Sequence, residues 1–103
     1  LWATYPKCCL GTDDAAQALA LLKRFGSVTV MNGHIHQIVQ KVEGTMTFHT
    51  ARSTAFPQPK PGTADHPGPM IVPADQLRSM LGLTAVEFTV GRERLAVIDT
   101  TLA

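Results

Sequence analysis

A proline-rich stretch near the middle of the chain sets the strongest limit on what it can fold into. Residues 56–69 contain five prolines and two glycines. Proline lacks the backbone N–H that helices and central strands need, so we expect a long surface loop here. Such a loop is uncommon inside a compact domain and is often functional. Residues 56–62 could bind a partner domain as a polyproline helix, but a rigid loop over the mouth of a site is the simpler interpretation.

A helix is predicted before this loop from a capping residue and a periodic apolar pattern. Thr12 is a favourable N-cap, and acidic residues follow it in the first turn, where the helix dipole is positive. Apolar residues then recur at spacings of three and four, which gives the helix one apolar face. Gly26 suits the position just beyond the C-terminus of the helix. The apolar face comprises Ala15, Ala18, Leu19, Leu22 and Phe25.

Strands account for most of the remaining chain. Runs of β-branched and apolar residues, bounded by turn residues, predict a single strand and then a hairpin around Glu43-Gly44. A second helix, ended by Gly82, and a second hairpin follow the proline-rich loop. The predicted strands are residues 28–31, 38–42, 45–51, 83–90 and 95–101, and the second helix is residues 73–81. This order predicts an α+β fold with a mostly antiparallel sheet.

Length and composition narrow the class of protein. The chain has 103 residues, enough for one domain, and 45% are hydrophobic, as in globular proteins. No apolar stretch approaches the ~20 residues of a membrane span. The net charge is +1 with scattered Lys and Arg residues, so we expect no surface for nucleic acid or for an anionic membrane. Adjacent Cys8 and Cys9 imply no disulfide framework and no compartment, and are interpreted as packing residues.

Two histidines follow the first predicted strand, one residue apart. In a strand, positions i and i+2 share a face, so His34 and His36 could converge on one metal ion. On a loop that leaves the strand they could instead diverge and bind two ions. Gly33 would allow the sharp turn, and Asn32 could bond locally or adopt a positive φ angle. The alternative is a turn whose histidines merely lie at the surface.

The strand and turn together resemble a known family. Residues 28–36, Val-Thr-Val-Met-Asn-Gly-His-Ile-His, resemble the last metal-binding motif of the calcineurin-like metallophosphoesterases, a strand followed by Gly-His-x-His. The helix before this strand is similar too, and residues 1–6, Leu-Trp-Ala-Thr-Tyr-Pro, resemble those that follow an upstream ligand histidine. The later hairpins resemble the strands that close the family's second sheet. The resemblance implies that residues 1–103 are the C-terminal portion of a four-layer αββα sandwich whose N-terminal part is absent.

The same resemblance implies the activity and the roles of the two histidines. The family hydrolyses phosphate mono- or diesters at a dinuclear centre of divalent metal ions such as manganese, iron or zinc. His34 would ligate the metal shared with the upstream histidine and an asparagine, and His36 the other metal, beside an Asp-x-His pair. The sequence contains no Asp-x-His, no Gly-Asp-x-x-Asp and no Gly-Asn-His. We therefore expect the isolated chain to contain no catalytic residue, to be inactive, and to depend on its missing N-terminal half as a partner.

Three further polar residues have weaker assignments. Arg52 could bind a substrate phosphate through its fork of donors, or it could fix a loop through backbone carbonyls. His49 is interpreted as a hydrogen-bonded sheet histidine and not as a ligand. His66, in the proline-rich loop, is expected to be solvated. A contrasting hypothesis is a small, non-catalytic α+β binding module. If the chain is instead part of a sandwich, its exposed sheet edges should favour self-association.

Overall fold

The computed structural model describes residues 13–60, 68–92 and 95–103, and these form two helices and five strands. The expected α+β class and the mostly antiparallel strands are confirmed. No helix among these residues is long and apolar enough to cross a membrane. The elements, in chain order, are α1 (Ala15–Leu22), β1 (Val28–Asn32), β2 (Gln40–Glu43), β3 (Met46–Thr50), α2 (Ala74–Met80), β4 (Gly82–Glu87) and β5 (Ala96–Thr101).

The first sheet has the strand order β1-β3-β2. β2 and β3 form the predicted hairpin, whose turn begins at Gly44 with a φ angle of 59°. A positive φ is unfavourable for residues with a Cβ atom, which explains the glycine at this position. β1 lies on the other side of β3 and runs parallel to it, so that Val28 pairs with Met46 and Asn32 with Thr50. β2, which is antiparallel to β3, carries the chain back across the sheet, so that β3 can run parallel to β1.

The main core lies between α1 and one face of this sheet. Leu19 of α1 packs with Met46 and Phe48 of β3, all three buried. Leu22, Val28 and Val30 surround them and are partly buried. Because side chains alternate along a strand, the opposite face of β3 carries Thr47 and His49. That opposite face is turned toward the second sheet.

The first helix is shorter than predicted at both ends. Asp14 is its N-cap, and Thr12 lies outside the described residues. The helix ends at Leu22, and the N–H of Phe25 donates to the Leu22 carbonyl in a turn. Phe25 is consequently 46% exposed and does not complete the apolar face, and Gly26 lies beyond the helix end and not next to it. The apolar spacing in the sequence continues to Phe25, although the helix ends at Leu22.

The second sheet pairs β4 with β5 in antiparallel register, Gly82 opposite Thr101 and Glu87 opposite Ala96. The second helix ends as predicted, with Leu81 as the C-cap of α2, and Gly82 next to it is the first residue of β4. A Cβ atom on Gly82 would lie 2.6 Å from the carbonyl oxygen of Thr100, so only glycine allows the two strands to pair here. The predicted turn at residues 91–94 lies partly outside the described residues.

Candidate functional site

The carboxyl ends of β1 and β3 lie side by side because the two strands are parallel. The N–H of Ala51, just after β3, donates to the carbonyl of Asn32 at the end of β1 over 3.1 Å. The residues that follow β1 therefore lie next to those that follow β3. We call residues 33–36 the histidine turn and residues 53–58 the Phe56 segment. Ligand sites in open α/β sheets lie at this end of parallel strands.

Both histidines of the turn have a left-handed backbone conformation. The φ angle is 80° at His34 and 58° at His36. The sequence favours the unusual backbone at Asn32 or Gly33, but neither has a positive φ. Ile35 lies between the histidines and is buried, so its side chain anchors the turn while His34 is exposed and His36 is half-buried. Positive φ at residues with a Cβ atom costs about 1–3 kcal/mol each and is concentrated at functional sites.

The ring of His36 is held by the Phe56 segment. Its Nδ1 lies 2.8 Å from the carbonyl oxygen of Phe56. A carbonyl can only accept, so Nδ1 carries the proton, and in the neutral ring Nε2 retains its lone pair. The ring of Phe56 also packs against His36, with centroids 4.5 Å apart and a 59° angle between the planes. Metal-binding histidines commonly donate their second ring N–H to a carbonyl in this way.

The donor set of the turn is incomplete as a metal site. Within the described parts of the chain, no group of three or more His, Cys, Asp or Glu side chains is close enough to hold a metal ion. His34 and His36 can each offer one imidazole nitrogen, whereas a tetrahedral zinc site needs four ligands. Several residues discussed above lie outside the described residues. They are His66, Cys8 and Cys9, together with residues 1–6, which carry part of the family resemblance.

Arg52 lies on the side of the Phe56 segment that faces the second sheet. Its Cδ atom is close to Gly82, about 3.2 Å from where a Cβ on that residue would be. Its positive charge also acts on Asp99 of β5. Arg52 thus contacts the junction between the two sheets, and its proposed contact with a substrate phosphate stays a prediction.

A second polar centre, which sequence reasoning missed, surrounds His49 on β3. The side chain of His49 is 2% exposed, and its Nε2 lies 2.9 Å from Oδ2 of Asp99. Gln40 donates its amide N–H to His49 Nδ1 over 2.9 Å, and the hydroxyl of Thr84 donates to Asp99. His49 is therefore a hydrogen-bonded sheet histidine, as predicted. Its partner Asp99 is 50 residues away in sequence, and no local motif points to it.

The pKa of the Asp99 carboxyl reflects opposing influences. Partial burial removes water from the carboxylate and raises its pKa. Hydrogen bonds that the carboxyl accepts from Thr84 and His49, followed by the electrostatic influence of His49 and of Arg52, favour the ionised form and outweigh that effect. The net result is a pKa below the ordinary value of 3.8. Asp99 is thus an anion near neutral pH and joins β5 to β3.

A cavity of about 470 Å³ lies between the two sheets next to His49. One wall, formed by the first sheet and the residues next to its strands, carries hydroxyl groups and an amide, and Leu95 and Val97 form the opposite, apolar wall. The histidine turn does not line this cavity. Besides His49 and these two apolar residues, the lining comprises Ser27, Thr29, Gln40, Val42, Gly44, Thr45 and Thr47.

Comparisons with protein-family models, with curated proteins and with solved structures gave no match for this chain. The geometry of the two polar centres is therefore the basis on which a function can be inferred.

Proposed function

We propose that this chain is part of a metal-dependent phosphoesterase in which His34 and His36 are metal ligands. The observation that carries the proposal is the conformation of the histidine turn. Two histidines, one residue apart, both have positive φ angles directly after a sheet strand, with the buried Ile35 fixed between them. A solvated turn has no need of two strained non-glycine residues, whereas a ligand site gains from holding its imidazoles in fixed positions.

The protonation of His36 fits this role. With Nδ1–H donated to the Phe56 carbonyl, Nε2 is the nitrogen that can bind a divalent cation. His34 is exposed and also offers an imidazole. When bound, divalent metal ions supply Lewis acidity for displacement at phosphorus. The task of this chain is to hold two of the ligands at the carboxyl end of β1.

Two imidazoles leave most of the ligand set to be supplied by other residues. The sequence lacks the Asp-x-His, Gly-Asp-x-x-Asp and Gly-Asn-His motifs that complete the site in the family it resembles. The proposal therefore requires a partner segment that contributes carboxylate and further imidazole ligands. Hydrolysis is accordingly a property of the complete protein, and the 103 residues alone should be inactive.

The test uses the complete protein, manganese and an aryl phosphodiester. We expect His34→Ala and His36→Ala each to lower kcat/KM by at least about 100-fold, because even supporting residues of metal sites contribute 10–100-fold. Metal content after dialysis should fall with activity. The matched control is His66→Ala, which removes the same side chain from the proline-rich loop and should retain activity. If His36→Ala keeps both its metal and its turnover, the proposal is wrong.

A second candidate function, a non-catalytic binding module, is favoured by the hydroxyl-lined cavity between the sheets. Its volume lies within the range of small-molecule pockets. This alternative predicts that metal ions leave the thermal unfolding of the chain unchanged and that no form of the protein hydrolyses phosphoesters. Metal-dependent hydrolysis by the complete protein would exclude it as the main function.

A further inference from the structure

We propose that the cavity between the two sheets binds an uncharged monosaccharide. This site is separate from the histidine turn, so the inference does not depend on the proposed function. The lining combines several hydroxyl groups, one side-chain amide and aliphatic side chains. Among the described residues that form it there is no Asp, Glu, Lys or Arg. An ion would lose water here without gaining a charged partner, so the lining suits a ligand with many hydroxyl groups and no charge.

The hydroxyl groups of the lining form a regular array on the first sheet. Thr29 of β1 is paired with Thr47 of β3. The N–H of Val28 donates to the Thr45 carbonyl at 3.0 Å, so the parallel register continues to Ser27 and Thr45. Neighbouring strands are about 4.8 Å apart, and every second residue of a strand is about 6.6 Å from the last. The four hydroxyl groups therefore cover an area comparable to that of one sugar ring.

These hydroxyl groups retain hydrogen-bonding capacity for a ligand. Thr45 donates to the carbonyl of Phe25 over 3.2 Å, which leaves its oxygen able to accept. The hydroxyls of Ser27, Thr29 and Thr47 make no hydrogen bond to the part of the chain that the structure describes. Each can donate one bond and accept two. The array can therefore bind several sugar hydroxyls at once.

The amide of Gln40 is oriented by the hydrogen bonds around His49. Asp99 is an anion and accepts the Nε2 proton of His49, so Nδ1 of the neutral ring is an acceptor. Nδ1 accepts an N–H of Gln40 at 2.9 Å, which decides the end of the amide that faces His49. The second N–H and the carbonyl oxygen of Gln40 bond to no other described residue. An amide held in this way can donate to one sugar hydroxyl and accept from its neighbour.

Leu95 and Val97 give the cavity its aliphatic wall opposite the hydroxyl array, and both are half-buried. A sugar ring presents C–H groups as well as hydroxyls, so it can pack on this wall while its hydroxyls bond to the first sheet. The volume of about 470 Å³ is sufficient for one such ring. Val42, on the outer strand β2, is 70% exposed, which leaves a route into the cavity from solvent.

Titration of the complete protein with D-glucose, D-galactose and D-mannose, without added metal, tests the inference by calorimetry and ligand-observed NMR. We expect at least one hexose to bind with a Kd of about 1 mM, which is the affinity that ordinary ligand efficiency gives a molecule of this size. The comparison probes are the uronic acid of that hexose, which adds a charge, and cyclohexanol, which keeps a six-membered ring with one hydroxyl. Both should bind at least about tenfold more weakly, because the first is desolvated without a charged partner and the second leaves the array unbonded.

Thr29→Val combined with Thr47→Val removes two hydroxyls of the array and keeps the branched shape that suits a strand. We expect the Kd of the hexose to rise about 10- to 100-fold, the range for two lost hydrogen bonds. Thr100→Val is the matched control, since Thr100 is a strand threonine of β5 that does not line the cavity. Its Kd should equal that of the unmodified protein. Circular dichroism and Tm would show that both variants are folded.

Three results would overturn the inference. The first is that no hexose binds at about ten times the expected Kd. The second is that the variant of Thr29 and Thr47 binds as tightly as the unmodified protein. The third is that cyclohexanol or the uronic acid binds as tightly as the hexose. Because none of these measurements involves metal or hydrolysis, the proposed function is tested separately.

Discussion

Two histidines of this chain are held by hydrogen bonds of different kinds. His49 is buried with both ring nitrogens bonded to side chains, so it has no nitrogen left for a ligand. His36 is half-buried, and its Nδ1 is bonded to the backbone carbonyl of Phe56. A fully bonded histidine stabilises the fold, while one with an oriented ring and an available nitrogen can bind a cation. The contrast separates the structural role of His49 from the ligand role proposed for His36.

At the residue scale, the Asp99 carboxylate is predicted to stabilise the folded chain. Asp99→Ala would leave the buried His49 N–H and the Thr84 hydroxyl without their acceptor. We expect the free energy of unfolding to fall by about 1–3 kcal/mol at pH 7. Urea denaturation of both proteins measures this difference. Asp13→Ala, which removes an exposed carboxylate before α1, is the control and should change stability little.

The pairing of Asp99 with His49 also predicts that the stability of the folded chain depends on pH. The pKa of Asp99 is lowered in the folded state, so the unfolded chain takes up the proton first as the pH falls. The contribution of the charged carboxylate is fully present above the unfolded value of about 3.9 and is lost as the pH falls through the lower folded value. The stability difference between the unmodified protein and Asp99→Ala should therefore shrink between pH 5 and about 3. A difference that grows in this range would contradict the assignment.

At the element scale, the parallel pairing of β1 with β3 creates the site. It places the end of the first strand against the end of the third, so the histidine turn meets the Phe56 segment. If β2 had paired with β1 instead, the residues after β3 would lie one strand further away. The hairpin of β2 and β3 thus affects the candidate site through the position that it gives β3 beside β1. The loop of the hairpin contributes no ligand.

Gly82 offers a direct test of the packing between β4 and β5. Gly82→Ala would place a Cβ atom 2.6 Å from the Thr100 carbonyl oxygen, a contact that requires the paired backbone to move. We expect a loss of about 1–3 kcal/mol in the free energy of unfolding, as for overpacked sites. Gly26→Ala is the matched control, because a Cβ there meets nothing within 4 Å. Equal stability of the two variants would show that the strands do not pair as described.

Local signals predict most elements, and non-local contacts account for what they miss. The Glu43-Gly44 turn and the alternation around it identify the first hairpin within two residues at its ends. The histidine turn is predicted from its sequence spacing, but its positive φ angles fall on the histidines themselves. The β1–β3 pairing and the His49–Asp99 pair join distant residues. No spacing rule reports such contacts, since packing of whole elements decides them.

At the scale of the whole molecule, the described residues leave a large amount of apolar surface uncovered. Leu83 and Ile98 lie on the face of the second sheet that points away from the cavity, and both are about half exposed. Further exposed apolar side chains are Leu21, Val42, Ile71, Val86, Phe88 and Val90. Apolar surface left uncovered in this way favours association with other chains or segments. They fit the proposal that a partner segment covers part of this fold.

The isolated 103 residues are accordingly predicted to self-associate. Light scattering should give a mass above that of one chain, with and without zinc. Leu83→Thr combined with Ile98→Thr should reduce the association, because threonine suits a strand but removes apolar surface. Ile71→Thr is the control, since Ile71 is 98% exposed but lies outside both sheets. A monomer that retains two metal ions after dialysis would contradict both this prediction and the proposed incompleteness of the site.

The outer edge of β1 has a consequence for how the ligand set could be completed. In the described part of the chain, β1 pairs on one side only, with β3. Its other side presents backbone N–H and C=O groups that a further strand can bind. If that strand runs parallel to β1, its carboxyl end must lie at the same edge as the histidine turn. Backbone pairing alone, with no side-chain recognition, would then deliver the residues after that strand to His34 and His36.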